Sequence, residues 1–315
     1  MRPKALESLA CPQCHGPLDS LSSEEEILEG SLSCANEGST YSVTGGIPHL
    51  VRLERTPKVT RFAEEYSLSW RQEGWGGDDL RYLQGLPYED STGRQRAKWR
   101  VKARSLDALL PALSFHQPRK IVDLGCGMGW LSHRLALAGY EVFALDPVLD
   151  ATLGLGAAGR YPPLGSPFER IWGEMEHLPF QSGSVDAVVA NASLHYADPL
   201  AQALREIQRI LRASGILIVM NSPVHRDGAS AARAEKGFRD HLARRGASAE
   251  VTDRYHHFTR KTLDEDLLHS VGAVTEVVFD PGRFFRWGRN LKGLLLRMEL
   301  AAFPILLAQK GTKPP

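Results

Sequence analysis

Residues 121–147 read IVDLGCGMGWLSHRLALAGYEVFALDP, and this stretch decides the fold. The apolar run 121–124 predicts a short buried strand, and glycines at alternate positions then predict a turn into a helix that Gly139 ends. A second apolar run follows and delivers Asp146 at its carboxyl end. The stretch therefore predicts a strand, a glycine turn, a helix and a second strand that ends in a carboxylate.

The glycines of this turn let the main chain adopt backbone angles that other residues avoid, and they let a ligand approach closely. The first amides of the following helix offer hydrogen-bond donors to that ligand. A carboxylate about 20 residues further along can accept hydrogen bonds from both ribose hydroxyls of an adenosine. The unit therefore predicts a binding site for a molecule that contains adenosine.

The pattern Asp-Leu-Gly-Cys-Gly-x-Gly, followed by a well-placed Asp146, resembles the first motif of class I S-adenosylmethionine-dependent methyltransferases of type 11. The resemblance implies an α/β fold with a Rossmann-like seven-stranded sheet, and it implies S-adenosylmethionine as the cofactor. The cofactor contacts that it implies along this stretch are Asp123, Gly125, Cys126, Gly127, Gly129, Trp130, Asp146 and Pro147.

The stretch 169–180, ERIWGEMEHLPF, resembles the part of the same family that meets the adenine ring. There the family has an acid followed by an apolar residue. The resemblance implies that Glu174 accepts a hydrogen bond from the exocyclic amine and that Met175 packs on the ring. A glutamate stands here in place of the usual aspartate.

An apolar run over 184–191 predicts a strand that is buried on both faces. Its carboxyl end lies where open α/β sheets bind ligands, so we expect Asn191 to contact the cofactor. Methyl transfer mainly requires alignment of the nucleophile with the methyl group, and a general base is needed only if the nucleophile must lose a proton. His195 is the first candidate for that base, and a histidine of the pocket wall is the alternative. Weaker candidates are Tyr196, His225, His256 and His257.

Residues 1–53 predict a small β ribbon with the spacing of a metal site. Cys11 and Cys14 form a metal knuckle, and Cys34 lies 20 residues beyond Cys14, as in four-ligand zinc ribbons. Glu37 stands where a second knuckle would place its last cysteine. Zinc held by these four residues, or by the three thiols and water, is one reading. The other is a ribbon held by packing alone.

The stretches 9–18, LACPQCHGPL, and 41–50, YSVTGGIPHL, resemble the Trm112-like ribbon family. Members of that family activate or accompany methyltransferases, and some have lost the metal. The resemblance therefore implies a ribbon domain fused to a methyltransferase domain, which we place at residues 94–315. The segment 54–93 is polar, aromatic and rich in glycine, and it predicts either a lid over the pocket or a linker.

Three features of the second half complete the expected layout. Residues 221–251 predict a charged helical insert after the fifth strand of the sheet. Residues 283–289, RFFRWGR, form a basic aromatic span that precedes a predicted helix. Residues 304–310 predict the last strand.

The charge balance limits the possible acceptors. The chain has 38 basic and 37 acidic residues in 315, a net charge of +1, so no overall field favours nucleic acid. Residues 1–50 contain two basic and seven acidic residues, which would repel phosphates. We therefore expect a small-molecule acceptor. An RNA methyltransferase that uses the ribbon, and a non-catalytic cofactor-binding partner of another methyltransferase, are the alternatives.

The start of the chain lacks the apolar core of a signal peptide, and no apolar run is long enough to span a bilayer. The four cysteines are not spaced as the disulfide framework of a secreted protein. These features predict a cytoplasmic protein. The oligomeric state stays open, a homo-oligomer included.

Overall fold

The computed structural model describes residues 1–20, 24–77, 79–282, 287 and 300–311. The N-terminal part is an antiparallel sheet of four short strands in sequence order. These strands are β1 (Leu18–Ser20), β2 (Gly30–Cys34), β3 (Thr40–Thr44) and β4 (Ile47–Pro48). This sheet is the predicted ribbon.

The rest of the described chain is built around a seven-stranded sheet. Its strands are β5 (Lys120–Leu124), β6 (Glu141–Asp146), β7 (Glu169–Trp172), β8 (Val185–Asn191), β9 (Leu211–Met220), β12 (Gly272–Val277) and β13 (Ile305–Lys310). Two further short strands, β10 (Val224–His225) and β11 (Phe258–Thr259), pair in parallel beside it.

The described part of the chain also contains nine α-helices, three of which precede β5. They are α1 (Thr56–Gln72), α2 (Leu80–Gly85), α3 (Arg96–His116), α4 (Trp130–Leu137), α5 (Leu155–Ala158), α6 (Leu200–Ile210), α7 (Gly228–Ala243), α8 (Ala249–Thr252) and α9 (Arg260–Ser270). The last of these begins with a capping box, in which the side chains of Thr259 and Thr262 each accept the other's main-chain N–H.

The strand order is β12-β13-β9-β8-β5-β6-β7. The five strands from β9 to β7 are parallel, and β13 runs antiparallel to both of its neighbours. The chain leaves β5 toward one side of the sheet and returns through β8 to build the other side. A topological switch point therefore lies between the carboxyl ends of β5 and β8, where open α/β sheets bind ligands. The predicted Rossmann-like seven-stranded fold is confirmed.

The ribbon docks on the outer edge of this sheet, at β7. His49 forms an isolated parallel bridge with Trp172, and the amide of Leu50 donates to the carbonyl of Trp172 at 2.9 Å. Beside it, Leu9 forms an antiparallel bridge with Phe180. An uncovered edge strand would leave its polar groups open to pairing with another chain, so the ribbon protects this edge.

The ribbon and the sheet also share apolar packing. Leu9, Leu32 and Leu50 are fully buried in one cluster with Leu178 and Phe180 of the main sheet's side. The ribbon is therefore joined to the sheet by a continuous hydrophobic core, although the sequence predicted a separate unit. The domain boundaries near residues 53 and 93 stay predictions.

The segment 54–93 contains two helices, α1 and α2, and its reading as a lid or as a linker stays a prediction. Pro57 stands in the first turn of α1, where its missing N–H has no cost. The buried face of this helix includes Val59, Phe62 and Ala63. This helix therefore packs on the main domain along its length.

Two strands begin earlier than their apolar runs. The run ILIVM at residues 216–220 predicts a strand there, but β9 begins at Leu211, directly after α6. Its residues 212–214 are exposed and contain no apolar run. The apolar run that starts at Val274 likewise predicts a later start than that of β12, which begins at Gly272. The basic aromatic span 283–289 and the helix predicted after it lie outside the described residues, apart from Trp287.

Candidate functional site

A cavity lies at the carboxyl edge of the sheet, at the switch point. The loops after β5, β6, β7 and β8 form its floor, and α1 forms a wall. Six of the residues expected to bind the cofactor line it: Gly125, Gly127, Asp146, Pro147, Glu174 and Met175. The other lining residues are Val59, Phe62, Tyr66, Leu145, Val148, Glu176, Ala192, Ser193, Tyr196 and Arg254.

The glycine turn needs glycine for two different reasons. A Cβ on Gly125 would lie 2.4 Å from the Cβ of Ser193, which is closer than packed atoms allow. Gly127 has space around it, but its φ of +54° is a left-handed conformation that favours glycine. The turn therefore packs its main chain tightly against the loop after β8, and its backbone forms the floor of the cavity.

Asp146 is fixed by the main chain on both sides. Its Oδ2 accepts from the amide of Gly127 at 2.7 Å, and its Oδ1 accepts from the amide of Val148 at 2.8 Å. Burial raises the pKa of Asp146 to about 6. Each carboxylate oxygen can accept a second hydrogen bond, so the residue holds the turn and still offers acceptors to a ligand.

Glu174 is held from behind by the side chains of Arg55 and His177. Its Oε1 accepts from Nε of Arg55 at 2.5 Å and from Nδ1 of His177 at 2.8 Å. Burial alone would raise the pKa of Glu174, but these two hydrogen bonds outweigh it and hold the pKa below its usual value. Among the described residues, Oε2 has no hydrogen-bond partner. The cavity therefore contains an ionised carboxylate with one unused acceptor.

Aromatic side chains from α1 and from the loop after β8 close the cavity. The ring of Tyr66 lies 5.7 Å from that of Phe62 and 5.4 Å, edge-on, from that of Tyr196. Burial raises the pKa of Tyr196 well above its usual value, so the phenol stays protonated at neutral pH. The protonated hydroxyl can donate a hydrogen bond, and a catalytic role of Tyr196 stays a prediction.

His195 lies behind this wall and is not part of the cavity lining. Its ring is packed 4.6 Å from that of Tyr196, and its Nδ1 is 3.1 Å from the hydroxyl of Ser222. Burial lowers the pKa of His195 to about 3, and the nearby charges of His257 and Lys102 act in the same direction. The imidazole is therefore neutral, as a base requires, but it is one side chain away from the cavity.

The weaker histidine candidates, one within the insert and two just after it, lie outside the lining. Nε2 of His225 is 2.7 Å from Nδ1 of His257, and the amide of His256 donates to the carbonyl of His195 at 2.8 Å. These contacts tie the insert to the loop after β8.

Three further expected cofactor residues support the turn from beneath. The Oδ2 of Asp123 accepts from the hydroxyl of Ser132 at 2.6 Å, and burial raises the pKa of Asp123 to about 7. Cys126 is buried. A Cβ on Gly129 would lie 2.7 Å from the Cβ of Ala158, so that glycine permits close packing of α4 on α5.

Trp130 and Asn191 are also not among the residues that line the cavity. The ring of Trp130 packs edge-on at 5.8 Å from that of Trp99. The Oδ1 of Asn191 accepts from Nδ2 of Asn221 at 2.8 Å. Direct cofactor contacts by these two residues, and by Asp123, Cys126 and Gly129, stay predictions.

Three residues of the site were not expected from the sequence. Arg55 and His177 orient Glu174, and Arg254 lines the cavity from the loop after α8. Arg55 is 119 residues from its partner in the chain, so no local pattern marks it. His177 stands three residues after Glu174 within the quoted adenine stretch, which is the signal that could have identified it.

The ribbon contains a cluster that could hold a metal ion. One ligand atom from each of Cys11, Cys14, Cys34 and Glu37 lies within 4.8 Å of all the others. Two main-chain amides, those of Gln13 and Gly16, point at the knuckle thiols at 3.4 and 3.3 Å. Three thiols and a carboxylate are a ligand set that suits tetrahedral Zn²⁺. The four predicted metal residues are thus brought together.

No helix within the described ranges is long and apolar enough to cross a membrane.

Comparison with known families agrees with this layout. Residues 122–219 match the family described as a methyltransferase domain, and residues 2–46 match the family described as Trm112p-like protein. The chain therefore carries a methyltransferase domain of class I fold behind a Trm112p-like ribbon, and the two resemblances predicted from the sequence are confirmed.

Curated relatives match the methyltransferase part. An uncharacterized methyltransferase of Mycobacterium tuberculosis is 35% identical over 135 residues, which cover 42% of this chain and 51% of that protein. A malonyl-[acyl-carrier protein] O-methyltransferase of Pectobacterium atrosepticum is 33% identical over 121 residues, which cover 38% of this chain and 43% of that protein. The chain thus spans about half, or less, of the length of these relatives.

Solved structures share the fold. The geranyl diphosphate C-methyltransferase of Streptomyces coelicolor A3(2) superposes with a TM-score of 0.50 at 16% identity, covering 81% of this chain and 97% of that one.

Proposed function

We propose that this protein is an S-adenosylmethionine-dependent methyltransferase that acts on a small molecule. The observation that carries the proposal is the pair of carboxylates in one cavity at the switch point, Asp146 and Glu174. Asp146 suits the two hydroxyls of a ribose, and Glu174 suits the exocyclic amine of an adenine. Together they specify the two ends of an adenosine.

In this account the adenosine lies across the ends of β6 and β7. Oε2 of Glu174 accepts a hydrogen bond from the exocyclic amine, and Arg55 keeps that carboxylate charged and oriented. Met175 packs on the ring. Asp146 accepts from the ribose hydroxyls while the amides of Gly127 and Val148 hold it in place.

The aromatic wall suits the other end of the cofactor. A cation is attracted to the face of an aromatic ring, and the sulfonium of S-adenosylmethionine is a cation. Phe62, Tyr66 and Tyr196 supply three rings on one side of the cavity. They also keep water away, so this chain's main contribution to catalysis is alignment of the acceptor with the methyl group.

A base is required only when the acceptor atom carries a proton that must leave. His195 is neutral but lies behind Tyr196, so we assign it a positioning role for that tyrosine in the first instance. A His195→Gln variant that loses the pH dependence of turnover would instead assign it as the base.

A small acceptor is supported by the enclosure of the cavity. The helix α1 lies over it as a lid would, and the ribbon is docked at the β7 edge. One curated relative is named as an O-methyltransferase of malonyl-[acyl-carrier protein], and the acceptor of this chain stays part of the proposal.

Isothermal titration calorimetry tests the cofactor assignment. S-adenosylmethionine and S-adenosylhomocysteine are expected to bind with dissociation constants in roughly the micromolar range. NAD and ATP serve as controls because they contain the same adenosine with different attachments, and they should bind at least about tenfold more weakly. Preference for NAD, or no binding of either sulfur ligand, would contradict the proposal.

A further inference from the structure

Arg254 is a buried arginine with unused hydrogen-bond donors. Only 6% of its surface is exposed, and its guanidinium lies over the ring of Phe62 at 4.8 Å. Neither Nε nor Nη2 has a hydrogen-bond partner within the described part of the chain. Buried polar groups are nearly always hydrogen bonded, and a buried charge is costly unless it is paired. The missing partner of Arg254 is therefore to be sought in a ligand.

The position of Arg254 supports a ligand as the partner. It lines the cavity described above, which we call the inner cavity, together with Tyr196 and Glu176. It also lines a second, more open cavity, the outer cavity, between Lys58 of α1 and Asp198. Arg254 thus stands at the junction between the two cavities, on the route by which a molecule could enter.

Glu176, the acid with which Arg254 shares the inner cavity, does not satisfy this guanidinium. The carboxylate of Glu176 acts on Arg254 electrostatically, but no ion pair joins the two among the described residues, and Oε1 of Glu176 accepts from the amide of Asp198 at 2.7 Å. Guanidinium groups bind carboxylates and phosphates through two parallel hydrogen bonds. The free donors of Arg254 match that kind of group.

We propose that Arg254 binds an anionic group, a carboxylate or a phosphate, of a ligand in the inner cavity. The proposal rests on the proposed function, because it takes that cavity as the place where cofactor and acceptor meet. Two ligands could supply the anion: the amino-acid end of S-adenosylmethionine, or an acidic acceptor.

Binding of two probes to the variants Arg254→Gln and Arg254→Lys separates these sources. The probes are S-adenosylhomocysteine and 5′-methylthioadenosine, which keeps the adenosine and the thioether but lacks the amino-acid end. Arg205→Gln, an exposed arginine on α6, is the matched control. The melting temperature of each variant shows whether it folds, and Arg254→Lys keeps the charge if the glutamine variant does not fold.

If Arg254 holds the cofactor, Arg254→Gln lowers the affinity for S-adenosylhomocysteine by about 10- to 100-fold and leaves the affinity for 5′-methylthioadenosine unchanged. If it holds the acceptor, both affinities stay unchanged, methyl transfer from labelled S-adenosylmethionine into cell extract falls at least tenfold, and the wild-type product is retained on an anion exchanger. Either result supports the proposal.

Three results would overturn it. The first is that probe affinities and methyl transfer are both unchanged. The second is that the affinities for both probes fall equally while the melting temperature falls in both Arg254 variants, and the third is that transfer falls but an anion exchanger does not retain the product. Failure of the wild-type chain to bind S-adenosylhomocysteine would instead refute the proposed function, and it is observed before any variant is made.

Discussion

Nε of Arg55 lies 2.5 Å from Oε1 of Glu174, and this contact joins the segment after the ribbon to the loop after β7. The side chain of Glu174 is 3% exposed, so its charge depends on its partners. The same oxygen accepts from His177. The contact therefore couples the ribbon side of the molecule to the proposed adenine site.

Replacement of this arginine should destabilise the protein in a pH-dependent way. Arg55→Gln is expected to lower the free energy of unfolding by about 1–3 kcal/mol at neutral pH, because it leaves a buried carboxylate with one cation fewer. Since the pKa of Glu174 is lowered by its partners, this stabilisation is present above the ordinary glutamate pKa of about 4.5 and is lost as the pH falls through the lowered value.

Urea unfolding at pH 7 and at progressively acidic pH measures this difference. The control is Arg61→Gln, whose exposed pair with Glu65 on one helix face should contribute under about 0.5 kcal/mol. Equal stability of Arg55→Gln and the wild type at pH 7 would show that the pair does not hold Glu174.

Asp146 should control cofactor affinity. Asp146→Asn is expected to weaken S-adenosylhomocysteine binding by about 1.5–3 kcal/mol, because an amide cannot accept from two hydroxyls and from two main-chain amides at once. Calorimetry measures the affinity, and Glu141→Gln at the opposite end of the same strand is the control. An unaltered dissociation constant in a folded Asp146→Asn protein would exclude the ribose role.

Metal analysis tests the ribbon cluster. The geometry of Cys11, Cys14, Cys34 and Glu37 predicts about one zinc ion per chain in protein purified without chelators. Cys34→Ser should lose the metal, whereas Cys126→Ser, outside the cluster, should keep it. Absence of zinc in the wild type, with no change of melting temperature on addition of a chelator, would favour the ribbon held by packing alone.

The shared core predicts that the ribbon and the sheet unfold together. Leu50 is fully buried between them, so Leu50→Ala should lower the free energy of unfolding by about 2–4 kcal/mol. The control is Leu53→Ala, since that side chain is 60% exposed. One transition in calorimetry is expected for both, and a separate early transition confined to the ribbon in the wild type would contradict a common core.

Local patterns predicted the elements around the glycine turn. β5, α4 and β6 follow from apolar runs and glycines that lie within 27 residues of one another. The cap of α9 is local as well, because threonine, here Thr259, is a residue type that favours the N-cap position. Gly125, Gly127, Asp146 and Glu174 come together because the carboxyl ends of parallel strands meet at one edge. Their placement required no knowledge of distant contacts.

The remaining parts of the site depend on contacts between distant residues. Arg55 and Arg254 reach the cavity from segments that carry no motif, and the docking of Leu50 on Trp172 is a main-chain contact that any sequence could make. The surroundings of Lys102 on α3 depend on distant contacts too, because its Nζ lies 5.9 Å from the ring centroids of both Trp75 and Trp99, and burial lowers the pKa of Lys102 to about 8. Helical periodicity does not show which aromatic residues will cover a lysine.

The most direct measurement is methyl transfer from radiolabelled S-adenosylmethionine into fractionated extract of a strain that lacks this gene. The purified wild-type protein is expected to label the low-mass or lipid-soluble fraction, and Asp146→Asn should reduce that label in proportion to its loss of cofactor affinity. Label in RNA would contradict a small-molecule acceptor. Label in no fraction, despite measurable cofactor binding, would contradict the proposed activity and favour a non-catalytic partner of another methyltransferase.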